Sequence, residues 1–173
     1  MDSGNLSVGL GMMALDAMEM ARAGKTPQEI VQALEAERDL IDTSFVLDQV
    51  DYLRNGGRCS GVAAVGAKLL HIKPCIEVEK GVMVVGKKYR GSFARCLEHY
   101  VKDKLEDRSQ VDFSRVMLAY SPCEPGVAEQ MLNYLGTVAE FKETLVCTAG
   151  STICCHCGPN TLGIIFKRKT PKA

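Results

Sequence analysis

Two adjacent helices are predicted at the start of the chain. The first covers residues 6–23, because its apolar residues recur three or four positions apart: Leu10, Met13, Ala17, Met20 and Ala21. Gly24 supplies its stop. Thr26 follows as an N-cap, with Pro27 at the first helical position and Glu29 at the third. This is the pattern of a capping box, and it predicts the start of a second helix.

Short apolar runs predict strands over residues 43–47, 72–79, 82–85, 116–120, 144–148 and 162–166. Lys80-Gly81 joins the second and third of these as a tight hairpin turn, so the sheet cannot be wholly parallel. Further helices are predicted over residues 50–55, 60–70, 91–105 and 126–135. Helices and strands interleave along the whole chain, which indicates an α/β fold with a sheet flanked by helices. We expect one domain, residues 1–173.

The composition is that of a globular chain, with 46% apolar and 24% charged residues. Lys plus Arg equals Asp plus Glu at 21 each, so nucleic acid binding lacks electrostatic support. The one basic cluster, residues 167–169, is interpreted as a solvated strand end. No apolar run approaches the length that spans a bilayer. Residues 1–5 lack a basic leader, and a chain this long needs no disulfide scaffold despite eight cysteines. We therefore expect a cytoplasmic protein without membrane insertion.

Motifs of enzymes and metal sites are weak. Cys154-x-x-Cys157 is one cysteine pair where a structural zinc site usually has two, so apolar packing is the favoured role of most thiols. Gly81-x-x-x-x-Gly86-Lys87 resembles a phosphate-binding loop, but its interior is strand-like. There is no nucleophile elbow, no helical His pair and no dinucleotide fingerprint. We expect no catalysis, no metal and no cofactor.

Two polar residues are candidates for a binding site. His156 precedes a Gly-Pro pair and is interpreted as a loop residue, rigidly aimed, that could donate a hydrogen bond to a carboxylate or phosphate. Arg58 follows the Gly56-Gly57 pair and could face an anion. Both residues also fit roles without a function in binding, His156 as a loop residue and Arg58 as an ordinary surface arginine. Eight methionines and no tryptophan are compatible with a cavity for a floppy acyl chain or with ordinary core packing.

Five blocks, in order, resemble the DegV family over nearly the whole chain. They are Asp2-Ser3 leading into Gly9-Leu10-Gly11, Asp48 with Tyr52-Leu53-Arg54-Asn55-Gly56-Gly57-Arg58-Cys59-Ser60-Gly61, Leu70-His71-Ile72-Lys73-Pro74, Lys88-Tyr89-Arg90-Gly91, and His156-Cys157-Gly158-Pro159. The resemblance implies a mixed, largely antiparallel sheet, the carboxyl-terminal lobe of that family. The family's amino-terminal α/β lobe precedes the first block, so the resemblance implies a fragment or an excised domain.

The resemblance also implies a function. Family members hold a long-chain fatty acid, with its tail in an apolar tunnel and its carboxyl group near the lobe interface, and in some bacteria present it to a fatty acid kinase. His156 would then lie at the head group, together with Cys155, Gly158 and Asn160 around the same turn. Arg58 looks like a cation at the tunnel mouth, and Arg58 and Arg90 are candidates for docking the partner.

The chain departs from the family pattern where Cys155 and Asn160 replace the usual Thr and Gly. A thiol is a weaker hydrogen-bond donor than a hydroxyl, which puts the detail of head-group contact in question. Two other functions stay open. One is a kinase-related subunit that binds a small carbonyl substrate in a polar pocket. The other is a folding unit that forms a homodimer through the face left by the missing lobe.

Overall fold

The computed structural model describes residues 1–57 and 72–172, and these contain six α-helices and six strands. In chain order they are α1 (Val8–Arg22), α2 (Pro27–Glu37), β1 (Ile41–Leu47), α3 (Asp51–Asn55), β2 (Ile72–Glu79), β3 (Val82–Arg90), α4 (Phe93–Lys104), β4 (Val111–Tyr120), α5 (Val127–Val138), β5 (Glu143–Thr148), α6 (Ser151–Cys157) and β6 (Thr161–Arg168). The helix predicted over residues 60–70 lies outside the described residues.

The strands form one sheet, in the order β3, β2, β1, β6, β4, β5. Every neighbouring pair is antiparallel except β4 and β5, which run parallel. The predicted mixed, largely antiparallel sheet with flanking helices is therefore confirmed. The hairpin turn between β2 and β3 is also confirmed, since Lys80 and Gly81 both have positive φ, as this turn type requires.

Helices cover both faces of the sheet. We call the face under α4 and α5 the closed face. Its core is one continuous cluster, in which Val46, Leu118, Ile164 and Phe166 of the central strands are fully buried. We call the opposite face, under α1, α2, α3 and α6, the slotted face. Its core consists of two separate clusters, one under α1 and α2 and one under α3 and α6.

Local sequence signals explain the helices that were predicted most closely. The Thr26 side chain accepts the Glu29 N–H at 3.4 Å, and the Glu29 carboxylate accepts the Thr26 N–H at 2.7 Å, which confirms the capping box. Leu34 anchors α2 in the core. In the part of the chain that the structure describes, no helix is both long and apolar enough to cross a membrane.

The interpretation of the basic tail was wrong for two of its three residues. Lys167 reaches Asp16 on α1 at 3.0 Å and Glu37 on α2 at 2.7 Å. Arg168 lies 3.6 Å from the buried carboxylate of Asp42. Strand β6 occupies the centre of the sheet up to this end, so its alternate side chains enter the charged layers on both faces instead of solvent.

Candidate functional site

A narrow apolar slot separates the two clusters of the slotted face. It contains about 410 Å³ of unfilled space when the part open to solvent is counted, but only about 30 Å³ of this has room for the centre of a water-sized group. The surface that its walls expose is almost entirely apolar. The slot is lined by Leu6, Ser7, Thr43, Ser44, Phe45, Ala119, Tyr120, Ser121, Ala149, Ile153, Cys157, Thr161, Gly163 and Ile165.

Small residues on the central strands form the floor of the slot. Gly163 of β6 lies beside Phe45 of β1 and Ala119 of β4 in the sheet register. A Cβ at Gly163 would overlap the backbone of Ser44, so no larger residue fits without moving β1. Because Gly163 and Ala119 carry little or no side chain, the sheet surface is low at this point, and α1 and α6 stand on either side of the depression.

Helix α1 approaches one wall of the slot closely. A Cβ at Gly9 would meet the Thr43 hydroxyl at 2.6 Å, and that hydroxyl donates a 2.6 Å hydrogen bond to the Asn5 side chain. Ser7 precedes the helix with a φ of 51°, a strained value for a residue with a side chain, and its hydroxyl makes no capping bond. The segment at Ser7 thus brings the start of α1 against β1 and the slot.

The prediction that His156 lies in a loop was wrong, because Ser151–Cys157 form helix α6. The sequence of this seven-residue helix shows no amphipathic pattern, and the helix is held in place because Ile153 and Cys157 pack onto the slotted face. Gly158 ends it, with a φ of 76°. A Cβ at Gly158 would overlap the Tyr52 ring, so this glycine also allows α6 to pack against α3.

His156 lies on the flank of α6 next to α3. A Cβ at Gly56 would overlap its imidazole, which shows close packing of the ring on the end of α3. Its Nδ1 atom is buried and has no hydrogen-bond partner among residues 1–57 and 72–172. The ring is not part of the slot lining, whereas the next residue, Cys157, is.

Asn160 fastens the loops at this end of the sheet. It has a φ of 52°, and its side chain accepts the Glu124 N–H at 3.2 Å and donates to the Asp48 carboxylate at 3.4 Å. Asp48 in turn forms an ion pair with Lys73. These bonds occupy the Asn160 amide in supporting the turn after α6.

The other predicted site residues lie near the same end of the sheet, to the extent that the structure describes them. Arg90 ends β3 and is exposed, paired with Ile72 across the ladder. It stands three strands from β6, roughly 14 Å at about 4.8 Å per strand. Cys155 is exposed on α6. Arg58 lies outside the described residues.

The buried thiol of Cys157 packs as an apolar group. Burial, reinforced by the neighbouring Cys154 thiol, raises the pKa of the Cys157 thiol to about 11, so it stays neutral and packs as an apolar group. Within residues 1–57 and 72–172, no three His, Cys, Asp or Glu side chains come together as a metal site.

The sequence analysis did not predict the individual residues that line the slot. Gly163 carried the one available signal, because a glycine inside a strand often marks a close approach of backbone or ligand. The contributions of Ala119, Leu6 and Ile153 depend on the order of the strands, which the sequence does not give.

Comparison with known proteins identifies the family of the chain and several of its relatives. The family model described as "Uncharacterised protein, DegV family" matches residues 1–169. The chain belongs to the DegV family. A DegV domain-containing protein of Streptomyces coelicolor is 31% identical over 171 residues, covering 97% of this chain and 59% of the relative. A fatty acid-binding protein of Thermotoga maritima is 30% identical over 158 residues, covering 88% and 54%.

Solved DegV structures share the fold. A DegV lipid binding protein of Thermotoga maritima superposes with a TM-score of 0.83 at 27% identity, covering 99% of this chain and 59% of that one. A fatty acid-binding DegV family protein of Thermus thermophilus gives 0.82 at 25%, covering 97% and 60%. This DegV chain thus spans about three fifths of the length of these relatives.

Proposed function

We propose that this DegV chain binds one long-chain fatty acid, with the acyl tail in the slot and the carboxyl group at the α6 end of the slot. The observation that carries the proposal is the apolar slot itself, which opens to solvent between α1 and α6 and whose walls would part to admit the whole tail. The names of the Thermotoga and Thermus relatives, which bind lipid or fatty acid, support the same class of ligand.

Burial of the tail provides enough free energy for binding. An acid of ~16 carbons at about 0.8 kcal/mol per methylene offers on the order of 10 kcal/mol before the cost of association is subtracted. The carboxylate gains nothing from an apolar wall and needs hydrogen-bond donors. His156, one residue from the slot lining and with Nδ1 lacking a partner in the described chain, is our candidate donor at the head group.

We further propose that the protein is a carrier, not an enzyme, and presents the carboxyl head to a partner such as a fatty acid kinase in the cytoplasm. The exposed guanidinium of Arg90 supports a docking role at the end of the sheet where α6 stops. Cys155, exposed on the same helix as His156, would border the head group. Arg58 lies outside the described residues, and its proposed role at the mouth of the tunnel rests on its place in the sequence alone.

Native mass spectrometry of the purified chain tests lipid binding directly. We expect a retained adduct with the mass of a long-chain acid, released when the protein is denatured. The alternative function, a subunit for a small carbonyl substrate, predicts a small polar adduct instead. A second cleft of about 960 Å³, including open solvent, is lined by charged residues such as Arg38, Asp39 and Lys80, and it is the place where such an adduct would fit. A chain that retains neither adduct, and takes up no added fatty acid, contradicts both proposals.

Self-association is supported by a separate observation. The outer side of α1 exposes Leu10 and Met18, which are 52% and 38% accessible and lie on one side of the helix with Ala14 between them. We propose that this stripe contacts a second copy. Sedimentation should then show a dimer that Leu10→Glu abolishes, and a monomer at high concentration would contradict it.

A further inference from the structure

Ser121 lies directly after strand β4, on the side of the sheet that carries the slot. Strand alternation places it on the same face as Ala119, and it lines the slot. The residue is 1% exposed. Its hydroxyl is therefore a buried polar group at the border of an apolar cavity.

The proton of this hydroxyl has no acceptor among residues 1–57 and 72–172. Ser121 Oγ accepts the backbone N–H of Thr161 at 3.0 Å, which uses one lone pair and leaves the O–H donor unused. The other buried hydroxyls of the lining have committed protons. Thr161 donates to the Cys157 carbonyl at 3.0 Å, and Thr43 donates to Asn5 at 2.6 Å.

The Ser44 hydroxyl does not belong to this set. Strand alternation turns it to the closed face, where it contacts the Tyr100 hydroxyl at 2.9 Å, so Ser44 lines the slot through its backbone. Of the buried hydroxyls that line the slot in the described part of the chain, Ser121 alone has a proton to offer.

The position of Ser121 gives the slot a direction. The Ser121 hydroxyl is hydrogen-bonded to Thr161, whose own hydroxyl donates to the carbonyls at the end of α6. Ser121 therefore lies at the α6 end of the slot. Ile165 and Met117 lie further along the same two strands, where the core is apolar. An elongated ligand with one oxygen-bearing end fits with that end at Ser121.

We propose that the Ser121 hydroxyl donates a hydrogen bond to the carboxylate of the bound acid and selects a free acid over its neutral ester. This inference rests on the proposed function and deepens it. A hydrogen bond from a hydroxyl to an ionised carboxylate is shorter and stronger than one to a neutral carbonyl, so the selectivity comes from the charge of the ligand.

The test compares hexadecanoic acid with its methyl ester, each titrated into the full chain. Ser121→Ala should weaken acid binding about tenfold or more and change ester binding much less, because donors to charged groups contribute more than donors to neutral groups. Ser121→Thr keeps the hydroxyl and should restore selectivity. Thr43→Val removes a lining hydroxyl whose proton is already committed, and it should change both affinities by the same factor.

Equal weakening of acid and ester by Ser121→Ala would assign the residue a structural role through Thr161 and overturn the inference. Failure of the unaltered chain to bind either ligand would overturn the proposed function instead. If Ser121→Ala does not fold, Ser121→Cys replaces it. Its thiol is a weak donor of similar size, and an acid-to-ester selectivity equal to that of the unaltered chain would then contradict the proposal.

Discussion

The two faces of one sheet differ in the size of the residues that the same strands present to them. On the closed face β6 contributes Leu162, Ile164 and Phe166, all fully buried in one cluster with α4 and α5. On the slotted face the same strand contributes Thr161, Gly163 and Ile165, and a slot remains between the helices. The strand period of two therefore separates a stabilising surface from a binding surface within one element.

This difference teaches that the slot is encoded in the sheet rather than in the helices that flank it. Leu118 and Ala119 are neighbours on β4, yet one is fully buried in the closed face and the other lies on the slot floor. A change at Leu118 should therefore mainly affect stability, whereas a change at Ala119 should mainly affect binding.

The largest effect is expected from Leu118→Ala. Removal of this buried side chain leaves a cavity in the closed face, which should lower the free energy of unfolding by about 2–5 kcal/mol in a urea titration. Fatty acid affinity of the folded fraction should stay unchanged. A matching loss of affinity would show that the two faces are not independent.

Ala119→Leu is the complementary change on the slot floor. The added side chain should occupy the space of the acyl tail and weaken hexadecanoic acid binding by about tenfold or more, equivalent to about 1.4 kcal/mol. The added carbons must also displace the slot walls, so the free energy of unfolding should fall by about 1–3 kcal/mol. Ala119→Ser is the matched control of small size. Full affinity in the leucine variant would place the ligand elsewhere.

Thr26→Ala tests whether a helix of the slotted face is stabilised locally. Loss of the capping box should lower the free energy of unfolding by about 1 kcal/mol, with no effect on acid binding, since Thr26 is exposed and remote from the slot lining. Thr26→Ser should retain the cap. A change in affinity without a change in stability would contradict this separation.

Acid titration probes the charged end of the closed face. Burial opposes ionisation of Glu77, but Lys104 at 3.0 Å and Lys172 at 2.5 Å prevail and hold its pKa below the ordinary 4.5. The unfolded chain then binds the proton more readily, so this stabilisation is present above pH 4.5 and is lost as the pH falls through the lowered folded pKa. Glu77→Gln should flatten the dependence of unfolding free energy on pH in that range. An unaltered slope would assign the dependence to other carboxylates.

Local signals predicted much of the fold, and long-range packing accounts for most of what they missed. The capping box of Thr26 and the turn at Lys80-Gly81 act within a few residues, so α2 and the β2–β3 hairpin followed directly. Strand β4 was predicted from Val116, but it begins at Val111, and the ladder to β6 is irregular between Asp112 and Val116. The charged residues of that segment obscure the apolar alternation.

The candidate site was predictable only in part for the same reason. The turn at Gly158 was recognised, but helix α6 depends on tertiary contacts of Ile153 and Cys157 that no local pattern reveals. The slot brings together β1, β4, β6, α1 and α6, and their adjacency follows from strand order. The role of His156 at the head group stays a prediction.

A crystal structure of the chain with hexadecanoic acid carrying bromine at its terminal carbon would test the central claim most directly. The account predicts anomalous density for bromine on the slotted face, between Ile165 and Met117 and away from α6, with continuous density for the tail over Gly163. Bromine on the closed face, in the charged cleft near Arg38, or at the α6 end of the slot would contradict it.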